Sequence, residues 1–413
     1  MSKLCGIRSD RPPKRFLGVL PISNCPVSQC SYYSLRLIGC QLSLIQNSMP
    51  SFAAGPAQLP KEVVERIQLE LPAFEDSGVS ILSLTHRSTH FTNLLNRTIR
   101  DLRDICRIPS NYEILLLPAG GAGQFDAVPL NLMRLNGDSN QLKADYLVTG
   151  LWSQQAAKHA AKYGQVRILP DPPIEKFIRF PKRDEYEVSA DSAYLYYCSN
   201  ETINGVEAHD DVDLGMDKVV VADTSSNFCT RPFAVSKHGV MFACVQKNLG
   251  VAGLTVVIVR NDLLTFSHPF CPSVLNYRCQ KEHNSVFNTP PTFNIYVLNL
   301  VLQWMRSQGG LEEMFKRSIA KSSAVYAVID DSKGFYINPV SVESRSHVNV
   351  PFRLRNTELE KTFLSSAKSV GLTDLGGHRT VGGLRASLYN GLTMEEAQRL
   401  VEFMKSFQEA YDK

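Results

Sequence analysis

The stretches KVVVADTSSN (residues 218–227) and GVMFACVQKNLG (residues 239–250) are the most informative part of this chain about its fold. Each contains a short, almost wholly apolar run, and polar residues follow each run directly. Four more apolar runs of this kind are separated by helical patterns or loops: Ile114–Leu117, Tyr146–Thr149, Ala193–Tyr197 and Thr255–Val259. Short apolar strands that alternate with helices are typical of a parallel sheet buried on both faces, so we predict an α/β fold with a mainly parallel central sheet.

The sequence pattern changes near residue 295. Beyond it, two helical stretches lead to a further helix, a glycine-rich turn, a strand at Arg385–Tyr389, and a last helix that begins with a capping box of Thr393 and Glu396. We therefore predict three segments: an N-terminal extension (residues 1–48), a large domain (residues 49–294) whose first residues pack on the small domain, and a small C-terminal α+β domain (residues 295–413).

Residues 1–48 differ in composition from the rest of the chain. They hold six basic residues, one acidic residue and four of the ten cysteines. A basic, serine-rich and acid-poor segment is typical of an organelle transit peptide, but no amphipathic helical stripe stands out. A disordered tail or a second start at Met49 would also fit this composition. We therefore expect a cytoplasmic protein, imported into an organelle if this segment is a transit peptide.

Charge and cysteine spacing argue against several classes of function. The chain beyond residue 48 is close to neutral, and no run approaches 18 consecutive apolar residues, so we expect neither nucleic acid binding nor a membrane span. The remaining cysteines form no CxxC pair. We expect them to be reduced, mostly buried thiols, and we expect no metal site.

Three polar signals follow the predicted strands. The glycine-rich stretch Gly120–Phe125 opens a helix and offers backbone N–H groups to an anion, Asp223 ends one apolar strand, and Lys247 follows another. Each alone has a plainer explanation: an ordinary turn, a carboxylate that caps a turn, and a solvated lysine. Burial at the strand end is also expected to lower the pKa of Lys247 and so free its amine as a nucleophile.

Taken together and in this order, the three signals match the needs of pyridoxal phosphate. The cofactor phosphate would bind the glycine-rich stretch, the ring nitrogen would pair with Asp223, and the aldehyde would react with Lys247, which lies 24 residues further along. Trp152 follows another predicted strand and would stack on the cofactor ring, although a tryptophan there is also a common core residue.

Eight segments carry a resemblance to a known family: Gly55–Ala57, Thr85–Arg87, Gly120–Phe125, Ala127–Asn131, Asn200–Thr202, Gln246–Asn248, Phe287–Phe293 and Gly377–Ser387. The strings NTPPT (residues 288–292) and GHR (residues 377–379), the latter followed by GG and RAS, are the most specific. From about Phe52 to Tyr411 the chain resembles the phosphoserine aminotransferases. These are class V aminotransferases with the aspartate-aminotransferase-like, fold-type I architecture.

The resemblance implies how pyridoxal phosphate would be bound. Lys247 would form the Schiff base, Asp223 would pair with the pyridinium nitrogen, and Trp152 would stack on the ring. Further cofactor contacts are implied for Gly121, Ala122, Thr202 and Gln246 and, across the interface of a homodimer, for Asn288 and Thr289.

The resemblance also implies a doubly anionic substrate. Arg385 would bind the α-carboxylate, and the phosphate would lie between two His–Arg pairs: His378 with Arg379, and His86 with Arg87 from the partner subunit. A bidentate guanidinium suits a carboxylate, and clustered Arg and His side chains suit a phosphate. The implied reaction is the reversible transfer of an amino group from L-glutamate to 3-phosphohydroxypyruvate, giving O-phospho-L-serine and 2-oxoglutarate, in serine biosynthesis.

The sequence departs from the family pattern at a few positions. Ala122 stands where many relatives have a polar or charged residue, Ala54 where some have Ser, and Val251 where most have Pro. Cys244-Val245 replaces a small Gly-Ala pair. The bulk of that pair is expected to be able to shift the strand that leads to Lys247.

Three other functions fit parts of the pattern. One is another class V aminotransferase, of the serine:pyruvate or alanine:glyoxylate type, against which the two His–Arg pairs argue. A second is a cysteine desulfurase, for which Cys279 is the only candidate nucleophile on a loop. The third is a non-catalytic binding protein with the same fold, against which the presence of Lys247, Asp223 and Arg385 together argues.

Overall fold

The computed structural model describes residues 49–137, 142–215 and 218–412. The predictions for residues 1–48 lie outside the described residues. The α-helices of the described part are α1 (Lys61–Glu70), α2 (Thr89–Ile105), α3 (Gly120–Leu132), α4 (Leu151–Ala160), α5 (Tyr277–Glu282), α6 (Thr292–Ser307), α7 (Gly310–Asp331), α8 (Leu359–Ser369) and α9 (Met394–Tyr411).

The strands belong to three sheets. The central sheet contains β1 (Tyr112–Pro118), β2 (Lys143–Leu147), β3 (Gln165–Leu169), β4 (Tyr194–Cys198), β7 (Val219–Asp223), β8 (Val240–Cys244) and β9 (Leu254–Arg260). A two-stranded hairpin is formed by β5 (Asn200–Glu201) and β6 (Val206–Glu207), and a three-stranded sheet by β10 (Tyr336–Ile337), β11 (Asn349–Leu354) and β12 (Leu384–Ser387).

The central sheet confirms the predicted α/β fold. Its strand order is β1-β9-β8-β7-β4-β2-β3, and every neighbouring pair is parallel except the two pairs that include β9. Strand β9 runs the other way because it follows β8 after a short turn with no helix between them. A parallel neighbour would need a longer crossover connection.

Both faces of the central sheet are buried, as the apolar strands predict. Along β8, Met241 and Ala243 face one core and Val240 and Phe242 face the other. Helices α2 and α6 cover the first face, and α3 and α4 cover the second. Strand β3 was not predicted, because its sequence QVRIL alternates polar and apolar residues at the exposed edge of the sheet.

A third core lies around the three-stranded antiparallel sheet. Phe52 is fully buried in this core, and its backbone bonds to Thr373 and Ser387 on either side. The chain between Ile295 and Met314, in contrast, packs in the core of the large sheet. The predicted domain boundary at residue 295 remains a prediction.

Lys321 of α7 is a buried cation in this C-terminal region. Its side chain is 2% exposed, and Nζ donates hydrogen bonds to the carbonyl oxygens of Tyr389 (2.7 Å) and Leu392 (2.8 Å). Burial lowers the pKa of Lys321 to about 7, because the charged ammonium loses its hydration. Folding therefore makes this lysine release its proton more easily.

The stability of the protein is expected to depend on this proton. Between the folded pKa of about 7 and the ordinary value of 10.5, the unfolded chain binds the proton more tightly. The free energy of unfolding should therefore rise with pH in this window, by up to about 1.4 kcal/mol per pH unit from this group. Urea titrations between pH 7 and 9 measure the free energy of unfolding of wild type minus that of Lys321→Met, and this difference should rise with pH. The same difference for Lys405→Met, which removes an exposed lysine, should not change with pH.

Candidate active site

The ends of five parallel strands bring the predicted site residues to one edge of the central sheet. Strand β1 leads to the glycine-rich stretch, β2 to Trp152, β4 to Thr202, β7 to Asp223 and β8 to Lys247. Open α/β sheets bind their ligands at this edge, outside the carboxyl ends of the strands. The structure thus brings together the residues for which the sequence predicted cofactor binding within one chain.

Lys247 points towards Thr202 and Trp152. Its Nζ donates a 2.7 Å hydrogen bond to Oγ1 of Thr202 and lies 5.9 Å from the centre of the Trp152 ring. Burial disfavours the charged ammonium, but the acidic groups of Tyr389, Cys244 and Asp223 outweigh burial and raise the pKa. The prediction of a lowered Lys247 pKa is therefore wrong for the chain alone, since it considered burial and not the acidic neighbours.

Asp223 is a buried carboxylate that has no ion-pair partner in the described part of the chain. Oδ1 accepts a hydrogen bond from the backbone N–H of Ser225 (2.9 Å), and Oδ2 accepts a longer one from the Tyr196 hydroxyl (3.4 Å). Burial raises the pKa of Asp223. A cationic N–H group next to Oδ2 would favour the ionised carboxylate, and a protonated pyridine nitrogen is such a group.

The glycine-rich stretch forms an open helix N-terminus. Ala119 and Gly120 turn the chain with φ of 93° and 62°, and α3 then begins without a side-chain cap. Ala122, in the first turn, is exposed. The N–H of Gly121, however, donates to Sγ of Cys244 at 2.9 Å. An anion at this N-terminus would therefore bind mainly the N–H groups of Ala122 and Gly123.

Cys244 packs against the glycine-rich stretch at Gly121. Strand β8 keeps a continuous register with β9 as far as the pair Cys244 and Thr255. The thiol contacts the Ser225 hydroxyl at 3.3 Å, and a Cβ at position 121 would lie only 2.7 Å from the sulfur. Gly121 leaves room for the sulfur, and whether the strand is shifted relative to that of the family remains a prediction.

The residues that hold the start of α4 were not predicted from the sequence. Glu201 is fully buried, and its carboxylate accepts hydrogen bonds from the backbone of Trp152 (2.9 Å) and from the backbone and hydroxyl of Ser153 (2.8 and 2.6 Å). Asn204 accepts the N–H of Leu151 at 3.0 Å. Gly150 was the only local signal, since a side chain there would collide with Glu201. Of the two helices α3 and α4, which both begin at this edge of the sheet, only α3 has backbone N–H groups available to an anion.

Arg385 of β12 is a buried guanidinium next to Thr202. It is 8% exposed, Nη1 lies 3.5 Å from the Thr202 carbonyl, and Nε has no hydrogen-bond partner. No carboxylate pairs with it in the described ranges. Burial lowers the pKa of Arg385. Because a buried cation without a counter-ion is costly, this position suits an anionic ligand.

A glycine-rich turn places a second basic group near Arg385. The Gly377 N–H donates to the Gly383 carbonyl (2.9 Å), and a Cβ at position 377 would lie 2.1 Å from the Gly382 oxygen. This turn holds His378, whose pKa is lowered by burial and by the charges of Arg385 and Arg379. The lowered pKa reflects the local excess of positive charge, which a bound anion would relieve.

Four predicted site residues are not brought to Lys247 within one chain. His86 and Arg87 make no side-chain hydrogen bond or ion pair with any described residue. The Asn288 side chain donates only to the Thr289 carbonyl, at 3.3 Å. Their assignment to the site of a neighbouring subunit remains a prediction.

The side chains at this edge of the sheet fit pyridoxal phosphate. Three buried polar atoms of residues predicted to line the site have no hydrogen-bond partner: Nε1 of Trp152, Oε1 of Gln246 and Nε of Arg385. The site also contains an unpaired carboxylate, a lysine amine and an open helix N-terminus. Within residues 49–137, 142–215 and 218–412 we find no cluster of three or more metal-ligating side chains and no helix long and apolar enough to cross a membrane.

The chain belongs to the class V aminotransferases, since that family model matches residues 51–400. Within this class it is 46% identical to the Drosophila melanogaster protein called phosphoserine aminotransferase, over 86% of this chain and 98% of the relative. These similarities confirm the family that the sequence motifs indicated.

Two solved structures confirm the fold. Phosphoserine aminotransferase from Bacillus circulans subsp. alkalophilus matches with a TM-score of 0.83 and 38% identity, over 87% of this chain and 98% of that one. The phosphoserine aminotransferase from Trichomonas vaginalis that was crystallised with bound pyridoxal phosphate matches with a TM-score of 0.81 and 36% identity, over 86% and 99%.

Proposed function

We propose that this chain is a pyridoxal-phosphate-dependent phosphoserine aminotransferase. It transfers the amino group of L-glutamate to 3-phosphohydroxypyruvate and so makes O-phospho-L-serine and 2-oxoglutarate, a step of serine biosynthesis. One observation carries the proposal: the buried Arg385 has no counter-ion in the described chain. On one side it contacts Thr202, which bonds to Lys247. Its charge also acts on His378 in the basic turn that contains Arg379. Two separate anion sites suit a substrate with a carboxylate at one end and a phosphate at the other.

The residues of the site would hold the cofactor in a fixed orientation. Lys247 would hold the cofactor covalently through its amine, Asp223 would keep the ring nitrogen protonated, and Trp152 would cover one face of the ring. Thr202 and Gln246 would supply hydrogen bonds. The N-terminus of α3 would receive the phosphate through the N–H groups of Ala122 and Gly123, with Gly121 beside them, and Asn288 and Thr289 of a second subunit would complete this site. When bound, the cofactor supplies an electron sink for the electrons of the substrate Cα–H bond.

The remaining steps belong to side chains of the protein. Arg385 binds the substrate carboxylate through two parallel hydrogen bonds and so orients the Cα–H bond. The Lys247 amine, once free, would take the proton from the substrate Cα as a general base and hold it on Nζ, from which the same group would later donate it as a general acid. Thr202 accepts a hydrogen bond from this amine and keeps it next to the reacting carbon.

The basic turn would select for phosphate. We expect phosphoserine with 2-oxoglutarate to be used at least about 100-fold better, in kcat/KM, than unphosphorylated serine, because only the phosphate engages the second basic group. Arg379→Ala should reduce this preference about tenfold or more while activity on serine changes little. A coupled assay on the purified protein checks both. Equal or better use of serine or alanine would point instead to a serine:pyruvate or alanine:glyoxylate enzyme.

The active unit would be a homodimer with shared sites. Arg87 and Thr289 are exposed and His86 and Asn288 partly exposed in the single chain, so they are free to complete the site of a second copy. Light scattering at micromolar concentration should give twice the chain mass. A stable and fully active monomer would contradict the shared site.

A cysteine desulfurase and a non-catalytic binding protein have less support. The Cys279 thiol lies on the short helix α5, 3.9 Å from Nδ1 of His283, and no hydrogen bond in the described chain links it to Lys247 or Asp223. Desulfurase activity with cysteine as substrate should therefore be absent. A non-catalytic role would require that the protein bind the cofactor without any turnover of phosphoserine.

For the location of the protein, we propose the cytoplasm, or an organelle if residues 1–48 are cleaved on import. The basic, acid-poor composition of that segment supports the second possibility. Fractionation of cells that express the full-length chain would test it, because import would shorten the chain and place it in the organelle fraction.

A further inference from the structure

The carboxylate of Glu201 joins two parts of the proposed site. The residue is fully buried, and no Lys, Arg or His pairs with it in the described part of the chain. Its oxygens accept three hydrogen bonds, all from the first turn of α4: the N–H of Trp152 and the N–H and hydroxyl of Ser153. Gly150 leaves room for this carboxylate, because a Cβ there would lie 2.3 Å from the Glu201 carboxyl carbon.

The bonding of Glu201 explains how a carboxylate is tolerated at this depth. Burial raises its pKa, while the three donors from Trp152 and Ser153 oppose that shift because they favour the ionised form. The positive end of the α4 dipole adds to the same effect. The side chain is therefore held in one place by the start of α4, and the start of α4 is held by the side chain.

Glu201 is also adjacent in sequence to Thr202, which contacts both the proposed reacting amine, Lys247, and the proposed carboxylate-binding residue, Arg385. Oγ1 of Thr202 accepts the hydrogen bond from Lys247, and its carbonyl oxygen lies 3.5 Å from Arg385. Trp152 is the second residue of α4, so the same carboxylate fixes the backbone that carries the tryptophan ring. The same side chain thus connects the start of α4, which carries the Trp152 ring, to the backbone that carries Thr202.

We propose that Glu201 is a positioning residue for the cofactor: it holds the Trp152 face and the Thr202–Lys247 pair at the separation that a flat aromatic ring needs, before the cofactor binds. This inference rests on the proposed function in one respect, namely that the ring bound at this site is that of pyridoxal phosphate. An ordinary helix cap would stabilise α4 and leave cofactor affinity alone. A positioning residue instead affects affinity, because a preformed site loses less order when the ligand binds.

The test compares Glu201→Gln with a matched cap elsewhere. Glu396 accepts a backbone N–H at the start of α9, as Glu201 does at α4, and lies in the C-terminal region. In a Trp304→Phe background Trp152 is the only tryptophan, so its fluorescence reports titration of the cofactor-free protein with pyridoxal phosphate. We expect Glu201→Gln to raise the Kd about tenfold or more and to shift Trp152 emission. Glu396→Gln should lower Tm and leave the Kd within about twofold.

The outcomes separate the inference from the proposed function. If wild type does not bind pyridoxal phosphate, the proposed function fails. If wild type binds it and Glu201→Gln binds it equally well, only the role of Glu201 is overturned. Should the variant not fold, amide hydrogen exchange on the cofactor-free wild type decides. The N–H groups of Trp152 and Ser153 should be protected before cofactor is added, and rapid exchange there would overturn the preformed site.

Discussion

Replacing Lys247 with Ala is expected to lower kcat for phosphoserine by at least about 10³-fold, because no other amine is placed to move the substrate proton. Nζ of Lys247 lies 2.7 Å from the Thr202 hydroxyl and 5.9 Å from the centre of the Trp152 ring, whereas Lys321, the buried lysine of α7, is bonded to carbonyl groups of the C-terminal region. Steady-state kinetics on purified protein, with the visible absorbance of bound cofactor recorded alongside, measure the effect.

The Lys247→Ala result needs a control for the loss of a lysine as such. Lys405 is exposed on α9 and has no ion-pair partner among the described residues, so Lys405→Ala should keep wild-type kinetics. The far-ultraviolet circular dichroism of both variants should match wild type. Turnover by Lys247→Ala at more than about a tenth of the wild-type rate would overturn the assignment of the reacting amine.

Replacing Arg385 with Met should separate activity from stability. The kcat/KM for phosphoserine is expected to fall about 10²- to 10³-fold, because the carboxylate loses a buried bidentate partner. The free energy of unfolding of the cofactor-free protein should stay equal or rise by about 1 kcal/mol, because Met fills a similar volume without leaving an unpaired charge buried. Kinetics and urea unfolding of the same preparations test both halves.

Arg355→Met serves as the matched control for Arg385→Met. Arg355 follows β11, is exposed, and pairs with Asp412 at 2.7 Å. Loss of an exposed pair should change stability by no more than about 0.5 kcal/mol and should leave kcat/KM unchanged. A clear loss of stability in Arg385→Met would mean that Arg385 has a structural partner in the folded chain and is not held ready for an anion.

Much of the site follows from local sequence patterns. The apolar runs that end in Asp223 and precede Lys247 predict buried strands with polar residues at one edge, and the sheet places both there. The glycine-rich stretch predicts a helix N-terminus, and α3 begins at Gly120. These features depend on residues that are close in the chain, which is why a single sequence is enough to predict them.

Other features depend on contacts that no local pattern contains. The pKa of Lys247 is raised because folding places Asp223 and Tyr389 near its amine. The direction of β9 follows from the absence of a crossover helix, which apolar periodicity alone does not indicate. For Cys244, the sequence indicated a bulky side chain next to Lys247, and only the structure shows that its thiol contacts the N–H of Gly121.

The sequence alone was enough to predict the α/β class, the family, and the chemical groups at the strand ends. Each of these depends on residues that are adjacent in the chain or on the short, regular spacing of apolar residues. Only the tertiary structure decided which donors those groups meet. Glu201 reaches Ser153 across 48 positions, Cys244 reaches Gly121 across 123, and Arg385 reaches Thr202 across 183. The hydrogen bonds and charges that set orientation and pKa act over a few ångströms in space, and the order of residues along the chain does not specify those distances.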